Sequence, residues 1–165
     1  MKTKAFLALL VGLLAVGLYV GTVLATPPSG LTTSTVARSS FEPLQISGES
    51  DPPSAWHVWM KTHGVSDFYV IDNKIAPGGT TGWHSHPGPS LIYVVAGQVT
   101  NYLADDPTCT PHVYSAGEGF VDEGGSDVHM LRNNGDVQAE TVAVQFLQAG
   151  ATRRIDEPDP GNCHF

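Results

Sequence analysis

Two histidines, His84 and His86, stand two residues apart in the segment GGTTGWHSHPGPSLIYVVAG, residues 78–97. Residues i and i+2 of a strand point to the same face, so an extended backbone would place both imidazoles side by side. Neutral imidazole is a common ligand for divalent transition metals, and such an ion needs at least a third ligand. The best candidate is His129, because it lies in a strand-like segment that leads into a turn. The three histidines therefore predict a site for Fe, Mn, Ni, Cu or Zn, with metal-free loop histidines as the alternative.

The elements that would position these histidines are short strands. The chain has 165 residues, enough for one ordinary domain, and its 18 Gly and 12 Pro suit many turns. Strands are predicted at residues 41–46, 67–75, 91–95, 98–104, 112–114, 120–123, 126–132 and 139–147. Residues 55–64 (AWHVWMKTHG) fit neither the strand period nor the helix period, so the pattern does not assign them. The spacing of strands and turns favours an all-β barrel or sandwich.

The segment around the two histidines resembles the first motif of the cupin superfamily. That motif runs Gly, five residues, His-X-His, three or four residues, Glu, six residues and Gly. Four residues fit its fixed positions, namely Gly78, His84, His86 and Gly97. Ser90 stands at the position of the Glu.

The segment around the third histidine resembles the second cupin motif less closely. His129 and Asn133 match its His and Asn, while Gly124 and Ser126 occupy the positions of its Pro and Gly. Together the two motifs extend the resemblance over residues 67–147. The resemblance implies a single antiparallel β-barrel of the jelly-roll type, with the metal on its wall and a small ligand entering at one mouth.

The serine at position 90 sets this chain apart from most of the family. Cupins usually bind metal through three His and one Glu, so Ser90 implies a site of three His plus waters, as in the three-His cupin dioxygenases. A neutral donor set leaves the metal more positive, which suits an anionic substrate or dioxygen chemistry. Glu123 is a candidate substitute acid, and Trp83 and Tyr93 are candidates to line the pocket. Core packing is the alternative for Tyr93.

The function that the resemblance implies is that of a metal-dependent, dioxygenase-like enzyme acting on a small molecule. An isomerase that uses the metal as a Lewis acid is a second enzyme hypothesis. No residue stands out as a general base, so the catalytic residues stay unassigned. A cupin barrel can also be a non-catalytic binding or scaffold protein for a metal, a sugar or a small anion, because fold does not fix function. Polar groups converging near the metal would favour catalysis.

The formal net charge of −8 restricts the partners of this chain. An acidic surface argues against nucleic acid and against anionic membrane surfaces as electrostatic partners. A small-molecule ligand or substrate is the expected partner, with a homodimer as the candidate assembly.

The N-terminus has the pattern of an export segment. Residues 5–25 contain no charged residue and follow the basic start MKTK. This pattern predicts either a signal peptide cleaved after Ala25 or a retained anchor helix, since about 20 apolar residues span a bilayer. In both cases the rest of the chain would lie outside the cytoplasm. The predicted organisation is residues 1–25 signal or anchor, 26–54 linker and N-terminal strand, 55–150 barrel, and 151–165 tail.

The chain contains two cysteines, Cys109 and Cys163. Outside the cytoplasm such a pair favours a disulfide bond, with two free thiols as the alternative. A bond between them would fasten the C-terminal tail to the barrel.

Overall fold

The computed structural model describes residues 24–51 and 55–165, and its regular elements are all β-strands. The predicted signal peptide or anchor helix falls outside these ranges except for its last two residues. Within the described ranges, no helix is long and apolar enough to cross a membrane.

Twelve strands follow one another along the described chain. They are β1 (Ser29–Phe41), β2 (Gln45–Glu49), β3 (His57–Lys61), β4 (Ser66–Thr80), β5 (His84–Ser85), β6 (Ser90–Ala96), β7 (Gln98–Leu103), β8 (His112–Ser115), β9 (Gly119–Asp122), β10 (His129–Arg132), β11 (Ala139–Gln148) and β12 (Ile155–Asp156). Ten of them form one antiparallel sheet, and β2 and β3 form a separate pair. The order β1-β4-β11-β6-β9 makes one wall, and β12-β5-β10-β7-β8 makes the other. Pairing of β10 with β4 joins the walls into a nearly closed barrel, which confirms the predicted all-β jelly roll.

The core follows from the two-residue period of the central strands. Buried and partly buried residues alternate along β11, and buried and exposed residues alternate along β6. The inward side chains of these strands meet those of β4 and β7 in the barrel interior, where Ile75, Val94 and Val99 are almost fully buried. Alternation therefore gives one wall an apolar inner face and a wetter outer face, as expected for an antiparallel barrel.

The region predicted as linker and N-terminal strand, residues 26–54, contains a long strand. Within it, β1 (Ser29–Phe41) pairs along its length with β4. Thr and Val favour extended backbone, which suits the sequence of β1 to an edge position. Almost all of β1 is exposed, so it has no alternating apolar residues to signal a strand.

The unassigned segment forms part of a hairpin outside the barrel. Residues 57–61 are β3, which pairs with β2 in a two-stranded sheet. Trp56 and Trp59 are exposed there, so their positions do not follow an inward-facing period. The strand predicted at 41–46 is correspondingly divided between the end of β1 and the start of β2.

The C-terminal tail lies against the barrel. β12 pairs with β5, and a disulfide bond joins Cys163 to Cys109. The Asn162 side chain donates hydrogen bonds to the backbone oxygens of Leu103 and Asp106. These contacts make residues 155–163 part of the wall that carries the histidines.

Candidate metal centre

Two adjacent strands of one wall bring the three histidines together. His84 lies in β5 and is directly paired with His129 in β10, while His86 follows two residues after His84. All three side chains are buried. One ring nitrogen from each lies within 4.8 Å of those of the other two. The barrel thus assembles the donor cluster for which the spacing had suggested a metal.

Backbone carbonyls fix the orientation of two of the rings. His84 Nδ1 lies 2.9 Å from the Gly82 oxygen, and His86 Nδ1 lies 2.6 Å from the Arg153 oxygen. A carbonyl can only accept, so in each neutral ring Nδ1 carries the proton and Nε2 keeps a lone pair. Metal-binding histidines are commonly held in this way, with one nitrogen on a carbonyl and the other on the ion.

Burial keeps the imidazoles in the form that binds metals. Loss of hydration lowers the pKa of His84 well below its ordinary value, and the neighbouring His129 lowers it further. Burial also lowers the pKa of His86 to about 4, against the opposing effects of the hydrogen bond to the Arg153 oxygen and of nearby Asp122. The pKa of His129 is lowered by burial as well. All three rings are therefore neutral near pH 7.

The acidic residue at the site is Asp122, not Glu123. Asp122 Oδ2 lies 3.8 Å from His86 Nε2, and Asp122 Oδ1 lies 3.8 Å from His129 Nδ1. Asp122 is 3% exposed and points inward from β9, whereas the next residue in an extended chain points the other way. Glu123 instead lines a separate depression with Asp105 and Asp127. Glu123, predicted as a candidate substitute acid, therefore lies away from the histidines, and its neighbour Asp122 lies beside them. Alternation with inward-facing Phe120 was the signal that pointed to Asp122.

Ser90 also faces the barrel interior, but its side chain is a hydroxyl and not a carboxylate. It is 1% exposed on β6, and its hydroxyl accepts a hydrogen bond of 3.1 Å from Gln145 Nε2. Gln145 Nε2 also lies 3.4 Å from both ring nitrogens of His86. Ser90 and Gln145 therefore form a hydrogen-bonded polar pair beside His86.

The donor atoms at this site are suited to a cation. Asp122 Oδ2 and His129 Nδ1 are buried and have no hydrogen-bond partner among the described residues. Neutral imidazoles and a carboxylate converge here, an arrangement that a divalent ion stabilises. Ligands about 2.1 Å from one metal lie roughly 3.0 to 3.4 Å apart, so the observed 3.8 Å needs only a small contraction. A second group of potential ligands shares Asp122 and His129 and adds Asp127.

The cavity beside the histidines is small, and both polar and apolar groups line it. Its volume is about 50 Å³, room for a few water molecules. Its polar lining includes Asn73, Ser90, Asp122, Thr141, Gln145, Arg153 and Arg154, and its apolar lining includes Leu31, Ile92, Phe120 and Leu131. Polar groups therefore converge on the cluster.

Neither aromatic candidate lines this cavity. Trp83 is buried on the other side of its wall, against Tyr102, Met130 and Cys163. Tyr93 is 51% exposed, because it alternates with the inward-facing Ile92 on β6. Adjacent residues on a strand face opposite ways, and this places Trp83 and Tyr93 outside the pocket.

Comparison with known families adds one finding of sequence and several of fold. Residues 73–145 match the cupin domain described as Cupin_2. Residues 73–145 therefore form a cupin domain. Among curated proteins, none matches the chain significantly.

Several solved structures are similar to this chain. The polyketide cyclase RemF of Streptomyces resistomycificus is 17% identical with a TM-score of 0.52, over 84% of this chain and 81% of its own. An oxalate oxidase is 24% identical with a TM-score of 0.42, over 50% of this chain and 46% of its own. The Cupin_2 domain of a transcriptional regulator from Enterobacter cloacae is 12% identical with a TM-score of 0.45, over 71% of this chain and 96% of its own. The chain thus spans less than half the length of that oxalate oxidase. The likeness to the polyketide cyclase concerns the fold alone.

Proposed function

We propose that this chain is an exported, metal-dependent cupin enzyme that acts on a small anion. The observation that carries the proposal is the convergence of three neutral histidines and one carboxylate on a small cavity. One oxygen of that carboxylate, Asp122 Oδ2, has no hydrogen-bond partner among the described residues. His84, His86 and His129 would hold the ion. A bound divalent metal would supply Lewis acidity and, if redox-active, a means of activating dioxygen. Oxygenase and isomerase chemistry are thus both open to this site.

The charges around the cavity favour an anion as the substrate. Arg153 lines the cavity, and its guanidinium donates a 3.0 Å hydrogen bond to Gln145 Oε1. Among the described residues, it makes no ion pair. A half-buried cation without a counter-ion favours the binding of a carboxylate or similar group. In the proposed reaction Arg153 would bind and orient the substrate, and Gln145 would hold Arg153 in position.

Export is proposed from two features that agree. The uncharged stretch at residues 5–25 follows a basic start, as in a signal segment. The disulfide bond between Cys109 and Cys163 is of the kind that persists in oxidising compartments.

The size of the cavity favours a second candidate function, that of a non-catalytic binding protein. Pockets for organic ligands commonly have volumes of roughly 300 to 1,000 Å³. A cavity of about 50 Å³ holds a metal and a very small anion without the room for a larger substrate. The two functions differ in whether the bound anion is converted.

The first experiment is to measure metal content. The chain, folded under oxidising conditions and purified without a metal-binding tag, would be analysed by mass spectrometry for bound metal. We expect about one equivalent of Fe, Mn, Ni, Cu or Zn, lost in a His84→Ala/His86→Ala variant. A His57→Ala/His63→Ala variant is the matched control, because these two histidines are exposed. Absence of metal in the parent chain, even after reconstitution, would exclude the proposed function.

If metal is present, oxygen consumption with small carboxylic acids separates the candidate functions. Turnover that depends on the metal supports an oxygenase, and conversion without oxygen uptake supports an isomerase. Tight binding of the acid with no conversion would support the binding protein instead.

A further inference from the structure

We infer that Asp122 is the fourth metal ligand of this centre, so that the carboxylate comes from β9 rather than from β6. The inference rests on the proposed function in one respect, namely that the histidine cluster binds a divalent metal. It goes further because it assigns the site an anionic ligand, although Ser90 stands at the position where the cupin motif has a Glu.

The strand register explains how the acid can change strands without leaving the site. β6 and β9 are antiparallel neighbours, and Ser90 is directly paired with Asp122. Side chains of directly opposed residues lie on the same face, with Cβ atoms about 4.5 to 5.5 Å apart. Both side chains are buried in the interior. A carboxylate at residue 122 therefore occupies the same corner of the barrel as a carboxylate at residue 90 would.

The two oxygens of Asp122 have different surroundings. Oδ1 accepts a hydrogen bond of 2.8 Å from the backbone nitrogen of Gly124, which fixes the orientation of the carboxylate. Oδ2 is buried without a hydrogen-bond donor among the described residues, and it lies 3.8 Å from His86 Nε2. His86 Nε2 is the nitrogen that carries a lone pair, because Nδ1 faces the Arg153 carbonyl. Two acceptors that face each other at this distance are stabilised by a shared cation.

No other cation in the described part of the chain has that role. Within the described ranges the ion-pair contacts of Asp122 are with the imidazoles of His86 and His129 alone, and at 3.8 Å both are too long for a direct hydrogen bond. A buried carboxylate is normally paired or bound to metal, since its charge is otherwise poorly solvated. The metal is the partner that this carboxylate lacks.

The test is titration of metal-free protein with Mn²⁺ and with Zn²⁺ by calorimetry. We expect Asp122→Asn to weaken binding of each ion at least tenfold, because it removes a charged ligand with little change in shape. Glu123→Gln is the matched control and should bind like the parent, since Glu123 faces away from the site. Mn²⁺ bound to the parent and to Asp122→Asn should also differ in its electron paramagnetic resonance spectrum.

A second variant keeps the test decisive if Asp122→Asn folds poorly. Asp122→Ser combined with Ser90→Glu moves the carboxylate back to the opposite strand, and it should recover much of the affinity that Asp122→Ser loses. Parent-like affinity and an unchanged spectrum for Asp122→Asn, with binding still abolished by His84→Ala/His86→Ala, would overturn the assignment of Asp122 alone. A parent chain that binds neither ion would overturn the proposed function, and the fourth ligand with it.

Discussion

Arg153 and Arg154 are neighbours in sequence and both line the cavity, but their guanidinium groups differ in what they contact. Arg154 donates hydrogen bonds to the Thr81 oxygen and to the carboxylate of Asp156. Arg153 has only the neutral Gln145 side chain as its recorded hydrogen-bond acceptor in the described ranges. Burial lowers the pKa of both groups, yet an arginine stays charged in proteins. The positive charge available to a ligand is therefore that of Arg153.

Replacement of Arg153 by glutamine should weaken binding of a small carboxylate such as acetate to the metal-loaded protein. We expect a loss of about tenfold or more, because a charge-assisted hydrogen bond contributes roughly 1.5 to 3 kcal/mol. Metal affinity should change little, since His86 is hydrogen-bonded to the backbone oxygen of Arg153, which the substitution retains. Competition titration would measure both affinities.

Arg154→Gln is the comparison for this prediction. Its guanidinium is already engaged, so the substitution should reduce stability more than anion affinity. Equal losses of anion affinity in the two variants would mean that the anion responds to overall charge and not to Arg153.

At the residue scale the sequence predicted the histidines but not the acid. The His-X-His spacing depends on strand period alone, so His84 and His86 could be recognised without the fold. Asp122 joins them only through the pairing of β9 with β6, which connects positions far apart in sequence. Local spacing contains no information on such pairing, so it could not distinguish Asp122 from its neighbour Glu123 as the acid at the site.

The loops that flank the site approach each other through two glycines. A Cβ atom added to Gly124 would overlap the backbone carbonyl of Gly88, and one added to Gly88 would overlap the Phe146 oxygen. Gly124 also has a φ of +73°, which side chains rarely adopt. The next residue, Gly125, donates a 2.7 Å hydrogen bond to the His86 oxygen. This contact between loops therefore sets the position of the backbone at His86.

We expect Gly124→Ala to destabilise the protein and to weaken metal binding. The positive φ costs about 1 to 2 kcal/mol for an alanine, and the overlap with Gly88 adds about 1 to 3 kcal/mol. The free energy of unfolding, from denaturant titration, and the metal affinity of the folded protein would be measured together.

The Gly125→Ala variant separates the cost of the positive φ from the cost of the overlap with Gly88. Gly125 has a similar φ of +68°, but nothing lies within 4 Å of an added Cβ. It should therefore show the backbone cost alone and keep metal affinity near that of the parent. If both variants lose the same stability, the close approach of Gly124 to Gly88 is not a constraint on the fold.

At the element scale, the sequence predicted the inner strands better than the outer ones. The strand predicted at 139–147 corresponds to β11 (Ala139–Gln148), whose alternation reflects one buried face. β1 and the hairpin of β2 and β3 lie at the edge of the barrel or outside it, where burial imposes no period. Alternation of apolar and polar residues is a consequence of burial, so exposed strands cannot be recognised by this pattern in a single sequence.

The C-terminal segment completes the wall that holds the metal site. β12 pairs with β5, so Asp156 is directly opposite His84. The disulfide partner Cys163 is buried against Trp83, Tyr102 and Met130. The covalent link therefore supports the same wall from its outer side.

Loss of the disulfide should lower the stability of the whole molecule. The bond closes a loop with a sequence separation of 54, for which the chain-entropy estimate is about 4 kcal/mol. We expect a Cys109→Ser/Cys163→Ser variant to lose up to about this much unfolding free energy, and metal affinity to fall as β12 loosens. Denaturant titration with and without reductant would measure the effect, and reductant should leave the variant unchanged. A parent chain whose stability is the same when reduced would contradict this role.

At the scale of the molecule, composition and the two motifs were sufficient to predict a β-barrel. They were not sufficient to predict which segments line its cavity. The cupin resemblance placed the fold correctly between residues 67 and 147. It gave no indication that Arg153 and Arg154 would line the cavity, because their position depends on the pairing of β12 with β5. The homodimer remains a prediction.

The pairing of β5 also has a consequence for the order of events during biosynthesis. β5, which carries His84, has β10 on one side and β12 on the other. β12 is the last of the twelve described strands along the chain. A nascent chain that emerges from its N-terminus can therefore form the opposite wall before the acceptor for His86, the Arg153 oxygen, has been synthesised. Maturation of the centre is then a late event, and an ion that arrives earlier meets a His86 ring that is not yet oriented.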